Sequence, residues 1–280
     1  MQHHWQTSRF ELDISSPLVM GIVNITPDSF STSTGLEEAQ ALAVRSIELA
    51  HEQVKAGAEI LDLGAESTRP GAVALSEEEE WARLSPVLRE VLTWRIPVSV
   101  DTYKSGIMRR ALEMGVDIIN DIFAFQQVGS LALMKEFGCG MCLMHMKGTP
   151  QTMQLNPIED AVVQQVKNFF TERLKACEEL GISLKRLMLD PGIGFGKSVE
   201  QNFALLAHQD EVRVKGLPLL VGWSRKSSLG AVTGLEVGER LIPSVAAALL
   251  AMERGAQVIR VHDVRETVTA RAVWKAMRRQ

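Results

Sequence analysis

Eight short apolar runs recur along the chain, at residues 19–24, 60–66, 97–101, 118–121, 140–145, 187–190, 218–226 and 258–262. Each is apolar along its body and closes on a polar side chain, from Asn24 in the first to His262 in the last. A strand covered on both faces reads as a continuous apolar run, and one that turns polar only at its C-terminal end suits a parallel sheet with a single functional rim. Helical stretches separate the runs. Helices are expected at 37–56, 158–180 and 244–254, and another opens at Ser76-Glu77-Glu78-Glu79, a capping box whose acidic residues complement a helix N-terminus. Eight strand–helix units predict an α/β fold, a TIM (β/α)8 barrel with its site on the strand C-terminal rim.

The joints repeat as well. Lys55-Ala56-Gly57-Ala58 and Glu113-Met114-Gly115-Val116 each place a glycine between a helical stretch and the next run, where a left-handed residue ends a helix without strain. The pattern returns around Gly138, Gly181 and Gly255. No low-complexity linker divides the chain, so one domain over residues 1–280 is expected, with residues 1–16 as a short cap over the barrel floor. Two loops, 26–35 and 67–74, leave the rim and are expected to act as lids.

Composition changes this picture little. Of 280 residues, 46% are apolar and 23% charged, which is enough for one large core. Mean hydropathy is +0.03. The net charge of −4 gives no broad basic surface for nucleic acid, so an anionic ligand needs a local cluster of basic side chains. No run reaches membrane-spanning length, and Met1-Gln2-His3-His4-Trp5-Gln6 has no apolar leader core, so a cytoplasmic protein is expected. Three cysteines without framework spacing fit a reducing compartment.

Two motifs mislead. Cys139-Gly140-Met141-Cys142 has redox spacing but lies in a strand, where residues three apart face opposite sides, so buried apolar-like cysteines are the better reading. Gly192-Ile193-Gly194-Phe195-Gly196-Lys197-Ser198 resembles a phosphate loop, yet Pro191 stands where that motif needs its first glycine. A tight turn that lets a flat ligand approach the backbone is expected instead.

The run ends carry the candidate chemistry. Asp101, Asn120, Asp190 and Lys226 combine carboxylates, an amide and one ammonium, a set that matches a flat heterocycle with an amino-amidine edge. Each alone reads as an ordinary salt bridge or cap; four around one mouth do not. Asn24, Arg69, Arg260 and His262 form a second, anion-friendly group. Asn24 could ligate Mg²⁺ through its amide oxygen if ligand phosphates complete the shell. A heterocycle pocket beside a pyrophosphate pocket implies cleavage of a bond between the two.

The motifs that carry a resemblance occur in order from about residue 17 onward. They are Met20-Gly21-Ile22-Val23-Asn24-Ile25-Thr26-Pro27-Asp28-Ser29-Phe30, Glu66-Ser67-Thr68-Arg69-Pro70-Gly71, Ser99-Val100-Asp101-Thr102 and Ile119-Asn120-Asp121. Then come Met144-His145-Met146-Lys147-Gly148-Thr149-Pro150, Asp190-Pro191-Gly192-Ile193-Gly194-Phe195-Gly196-Lys197, Ser224-Arg225-Lys226-Ser227 and Arg260-Val261-His262-Asp263. This ordered set resembles the dihydropteroate synthases, the folate-pathway enzymes that sulfonamides target. The resemblance implies a homodimeric barrel that joins 4-aminobenzoate to the methylene of 6-hydroxymethyl-7,8-dihydropterin pyrophosphate. Dihydropteroate and pyrophosphate would leave. Asp101, Asn120, Asp190 and Lys226 would hold the pterin. Asn24, Arg260 and His262 would hold pyrophosphate, with Mg²⁺ on Asn24. Thr68, Pro70, Phe195 and Ser224 would shape the aminobenzoate pocket. Lys226, Arg69 and Asp101 would carry catalysis.

The chain departs from the family pattern in three places. Thr32 stands where the first loop usually has an aspartate, Ala65 replaces a glycine, and Trp223 is bulkier than the usual residue and is expected to pack outside the barrel. Two alternatives remain at this stage. A methyltetrahydrofolate-dependent methyltransferase would share the pterin residues without needing the anion clamp. A non-catalytic pterin-binding paralogue would bind without turnover.

Overall fold

The computed structural model describes residues 2–27, 36–68, 71–153 and 161–279. Eight parallel strands wind into the barrel: β3 (Leu18–Asn24), β4 (Ile60–Gly64), β5 (Val98–Asp101), β6 (Ile118–Asp121), β7 (Gly140–Met144), β8 (Leu187–Asp190), β9 (Leu220–Val221) and β10 (Val258–Val261). Their order is β8-β7-β6-β5-β4-β3-β10-β9. The ring closes between β8 and β9 through the parallel bridge Leu189–Leu219, with the Leu189 N–H donating to the Pro218 carbonyl at 3.0 Å. Before the barrel, β1 (His4–Gln6) and β2 (Glu11–Asp13) form an antiparallel hairpin.

The helices described are α1 (Leu36–Lys55), α2 (Glu77–Val91), α3 (Ser105–Glu113), α4 (Ser130–Phe137), α5 (Val162–Glu179), α6 (Val199–Ala207), α7 (Ser227–Thr233), α8 (Leu241–Glu253) and α9 (Val264–Arg278). Ser76 caps α2 with the expected capping box. The helix expected from 244 starts three residues earlier, because Pro243 falls in its first turn, where a missing N–H costs nothing. The helix expected at 158–180 is described from Val162; residues 154–160 lie outside the described residues. The 218–226 run yields only a two-residue strand. Beyond it the chain turns, with Arg225 at φ +59° and the Lys226 N–H donating to the Trp223 carbonyl at 3.2 Å. That turn makes Lys226 the N-cap of α7.

Strand alternation divides the core in two. Outward residues such as Val19, Leu61, Val100, Leu143 and Ile259 pack beneath the helices. Inward residues Met20, Ile60, Ile118, Cys142, Met188, Leu220 and Val258 fill the barrel floor with Trp5 and Ile14 of the hairpin region. The Trp5 indole N–H donates to the Arg186 carbonyl at 2.8 Å, which fixes the hairpin across the bottom of the barrel. The apolar floor closes one end, so a ligand can enter only from the strand C-terminal rim.

Candidate active site

The site follows from the two-residue period of the strands. Two positions beyond Ile60, Ile118, Met188 and Val258 stand Asp62, Asn120, Asp190 and Arg260, so a polar layer sits directly on the apolar floor. The Arg260 Nε donates to Asp62 Oδ2 at 2.6 Å and its Nη2 to Asp101 Oδ2 at 2.8 Å. The Asn120 amide donates to the same Asp62 oxygen at 3.2 Å. Asp62 has no exposed surface, and its other oxygen has no partner among the described residues. Sequence reasoning missed Asp62. Its signal was available: a lone carboxylate inside the apolar run Ile60-Leu61-Asp62-Leu63.

Acids and bases are balanced inside this layer. Burial pushes the Asp101 carboxyl up to about 7; Arg260 opposes the shift, and Asp62, Glu80 and Asp121 add to it. Burial also raises Asp190, against the Gly192 N–H and the charges of Lys226, Arg260 and Lys197. Lys226 is lowered to about 8 by burial, with Asp190 opposing. Arg260 loses solvation by burial, yet its acidic neighbours hold its proton more firmly than usual. The set offers accepting carboxylates, an amide and held cations within one enclosed mouth.

The 192–197 segment forms the expected turn. The Gly192 N–H donates to Asp190 Oδ1 at 2.7 Å. Gly192 has φ +67°, and a Cβ there would collide with the His145 carbonyl oxygen. Lys197, another residue missed in the sequence, is buried beneath the turn and donates to the carbonyls of His145 (3.2 Å), Gly192 (2.9 Å) and Phe195 (2.9 Å). Its ammonium is spent on backbone, not on phosphate. Asn202 ties the turn to α7: its Oδ1 accepts from the Gly194 N–H and its Nδ2 donates to Ser228 Oγ. The result places the half-buried Phe195 ring against Lys226.

At the rim, Ser224 lies against His262, accepting from its backbone N–H at 3.1 Å and meeting Nδ1 at 3.0 Å. Burial lowers His262 to about 4, with Arg260 and Arg225 adding to the shift, so the ring is neutral near pH 7. Arg225 turns outward to Asp263 at 2.5 Å. The structure therefore splits the anion-friendly group: Arg260 lies in the acidic layer, His262 one step above it. Asn24 ends β3 with its side chain exposed, and Thr68 is half-buried in the loop after β4. Arg69 and Pro70 lie outside the described residues, as does Thr32 of the first loop. Below the second loop, Glu66 accepts from the Tyr103 hydroxyl, Lys104 and the Leu75 N–H, a cluster no motif had joined.

Trp223 packs on the outer side of the barrel, tilted against Phe203 with centroids 5.2 Å apart. Cys139 falls in the outer layer and Cys142 in the barrel floor, so the two thiols of the misleading motif face opposite ways. Among the described residues no group of three or more His, Cys, Asp or Glu side chains could hold a metal ion.

A barrel with this interior is the architecture of a pterin-binding enzyme, and residues 20–262 match the family model for pterin binding enzymes. A dihydropteroate synthase from Neisseria meningitidis is 46% identical over 99% of this chain and 98% of its own. A Burkholderia cenocepacia dihydropteroate synthase, solved in complex with 7,8-dihydropteroate, superposes with a TM-score of 0.89 at 43% identity, covering 98% of this chain and 96% of that one. A Xanthomonas albilineans dihydropteroate synthase with 4-aminobenzoic acid gives 0.90 at 42% identity over 99% of both chains. The chain belongs to the dihydropteroate synthase family.

Proposed function

We infer that this chain condenses 6-hydroxymethyl-7,8-dihydropterin pyrophosphate with 4-aminobenzoate, forming 7,8-dihydropteroate and pyrophosphate in folate biosynthesis. The observation that carries the reading is the interior layer of Asp101, Asn120, Asp190, Lys226 and Arg260 on a closed apolar floor. Its acceptors meet the N–H groups of a pterin, and Lys226 donates to the ring's oxygen or nitrogen. The pterin plane then lies in the barrel with its methylene directed to the rim.

Arg260 at the top of this layer and the neutral His262 one step above it are the groups to clamp pyrophosphate, and the family resemblance adds Arg69, which lies outside the described residues. The donor set fits Mg²⁺ in one way only. With Asn24 at the rim and no carboxylate cage among the described residues, the other ligand oxygens would come from the substrate's phosphates and from water, as is usual for this ion. Asn24 would hold the ion through its amide oxygen, and bound Mg²⁺ would neutralise leaving-group charge.

The bond that breaks joins the methylene carbon to a pyrophosphate oxygen; the bond that forms joins that carbon to the aryl amine nitrogen. A pterin ring delocalises positive charge developing at the methylene, so departure leads attack. The aryl amine is neutral near pH 7 and needs no base beforehand; it releases a proton after the new bond forms. Asp101 and Lys226 hold the ring through the charge change, and the preorganised cations stabilise the leaving anion. Thr68, Pro70, Phe195 and Ser224 would line the approach of 4-aminobenzoate.

The chain acts as a homodimer in the cytoplasm. Exposed apolar residues on neighbouring helices, Leu241, Ile242 and Leu250 of α8 with Val273 and Met277 of α9, support a self-association face. No helix among the described residues is long and apolar enough to cross a membrane.

Pyrophosphate release should be followed with and without 4-aminobenzoate and with and without Mg²⁺. Release that depends on both, with dihydropteroate formed in equal amount, supports the synthase reading. Tight pterin binding without release overturns it in favour of a binding paralogue.

A further inference from the structure

Asp62 is the most completely buried acid of the interior layer, and it is not among the residues that the family motifs single out. One of its oxygens holds two site residues at once: Arg260 through Nε and Asn120 through Nδ2. A carboxylate only accepts, so the amide of Asn120 must turn its NH2 towards Asp62. Its carbonyl oxygen is thereby left for a ligand donor. Arg260 is fixed differently. With Nε on Asp62 and Nη2 on Asp101, its guanidinium spans two carboxylates of unequal freedom, since Asp62 is fully enclosed and Asp101 is not. A ligand N–H that takes Asp101 Oδ2 competes with Arg260 for that oxygen and weakens the Asp101–Arg260 pair. Without Asp62, that exchange would leave a largely enclosed guanidinium with only the more distant Asp190 as counter-charge, a costly change in an interior.

We propose that Asp62 is the positioning residue of this site: it keeps Arg260 in place and compensated while Asp101 changes partner to the pterin, and it sets the amide orientation by which Asn120 accepts from a pterin N–H. The role rests on the proposed pterin chemistry but not on turnover, so binding and catalysis can fail separately.

Asp62→Asn is nearly isosteric. Its oxygen can still accept from Arg260 and Asn120, so the layer keeps its shape and loses the charge. Arg260 then has Asp101 as its main counter-ion and holds it. Binding of 6-hydroxymethyl-7,8-dihydropterin, measured by calorimetry, should weaken on the order of tenfold to a hundredfold. Asp62→Glu restores the charge at a displaced position and should recover part of the loss. The pH profile gives a readout that a packing defect would not move. Asp101 faces Arg260, Asp62, Glu80 and Asp121, with Lys226 nearby. Neutralising Asp62 removes one repulsion and strengthens one attraction, so the limb of pterin binding that follows Asp101 should move to lower pH. Pterin affinity within twofold of wild type in Asp62→Asn, or a weakened affinity with an unmoved limb and no recovery in Asp62→Glu, would overturn the proposal. Unchanged pterin binding by a wild-type chain that releases no pyrophosphate would overturn the synthase reading alone.

Discussion

The Lys226 ammonium nitrogen lies 4.3 Å from the centroid of the Phe195 ring, so a cation at the end of one strand unit rests on an aromatic face carried by another. Lys226 is shifted down to about 8 by burial, with Asp190 and Asp101 holding the charge and Arg260 opposing it. The ring face also favours the ammonium, by roughly 0.5–2 kcal/mol for such contacts. In Phe195→Leu the alkaline limb of kcat/KM for the pterin pyrophosphate should therefore move below its wild-type position near pH 8. Lys226→Ala should lose the limb together with pterin affinity. Rates measured from pH 6 to 10 decide it, and an unmoved limb in Phe195→Leu removes the ring from the titration.

Lys197 makes the opposite prediction, a structural one. Its three N–H donors satisfy the carbonyls of His145, Gly192 and Phe195, two of them in the turn that presents Phe195. Lys197→Met leaves the His145 and Phe195 oxygens without a donor, while Gly192 keeps its bond from the Phe195 N–H. The loss should be about 3 kcal/mol or more in unfolding free energy. Denaturant unfolding reads it directly. Full stability in this variant would mean that water replaces the lysine at no cost.

Much of this arrangement was legible in the sequence, for physical reasons. The barrel was readable because strands covered on both faces must be continuously apolar, and the strand ends at Asp101, Asn120 and Asp190 because polar groups are tolerated there. Asp62 was not singled out because it is a charge inside a run whose pattern says core, and Lys197 because a lysine at the end of a glycine-rich turn reads as exposed; only the three-dimensional partners reveal the compensation. The 218–226 run was misjudged as one long strand: Gly222 weakens the strand pattern, but nothing in the sequence fixes the turn at Ser224-Arg225 that delivers Lys226. Glu66, Tyr103 and Lys104 lie on two strand-to-helix loops, and sequence alone does not say that neighbouring strands bring those loops together.

His262 links the site to acid stability. Burial holds its folded value at about 4, against an ordinary 6.5. Between these values the unfolded chain takes up a proton that the folded ring refuses, so stability falls as pH drops from about 6.5 to about 4 and is unaffected by this group above that window. The ring is partly exposed, which keeps the loss below a ceiling of about 3 kcal/mol. His262→Asn should remove this slope. The difference in unfolding free energy between wild type and variant, followed from pH 7 to 4, should shift in favour of the variant by roughly 1–3 kcal/mol. A constant difference across that range would contradict the buried, neutral ring.

The Lys104 ammonium joins Glu66 at 2.5 Å and Glu80 at 2.6 Å, and Glu66 also accepts from the Leu75 N–H at 2.7 Å and the Tyr103 hydroxyl at 2.8 Å. Glu66 and Leu75 bracket the loop that carries Thr68, Arg69 and Pro70, so one carboxylate pins both ends of it. Lys104→Met leaves two largely enclosed carboxylates without their shared cation, a change that typically costs about 3–5 kcal/mol. The loop anchor should loosen with it. KM for 4-aminobenzoate should rise severalfold, while KM for the pterin pyrophosphate changes less, because the pterin residues stand on the strands and not on this loop. Tyr103→Phe removes one hydrogen bond, about 1 kcal/mol, and leaves the ion triad, so it should shift the same constant in the same direction by a smaller factor. Steady-state kinetics with each substrate varied in turn separates the two effects. Equal changes in both constants would place the influence of the clamp on the barrel as a whole and not on the loop.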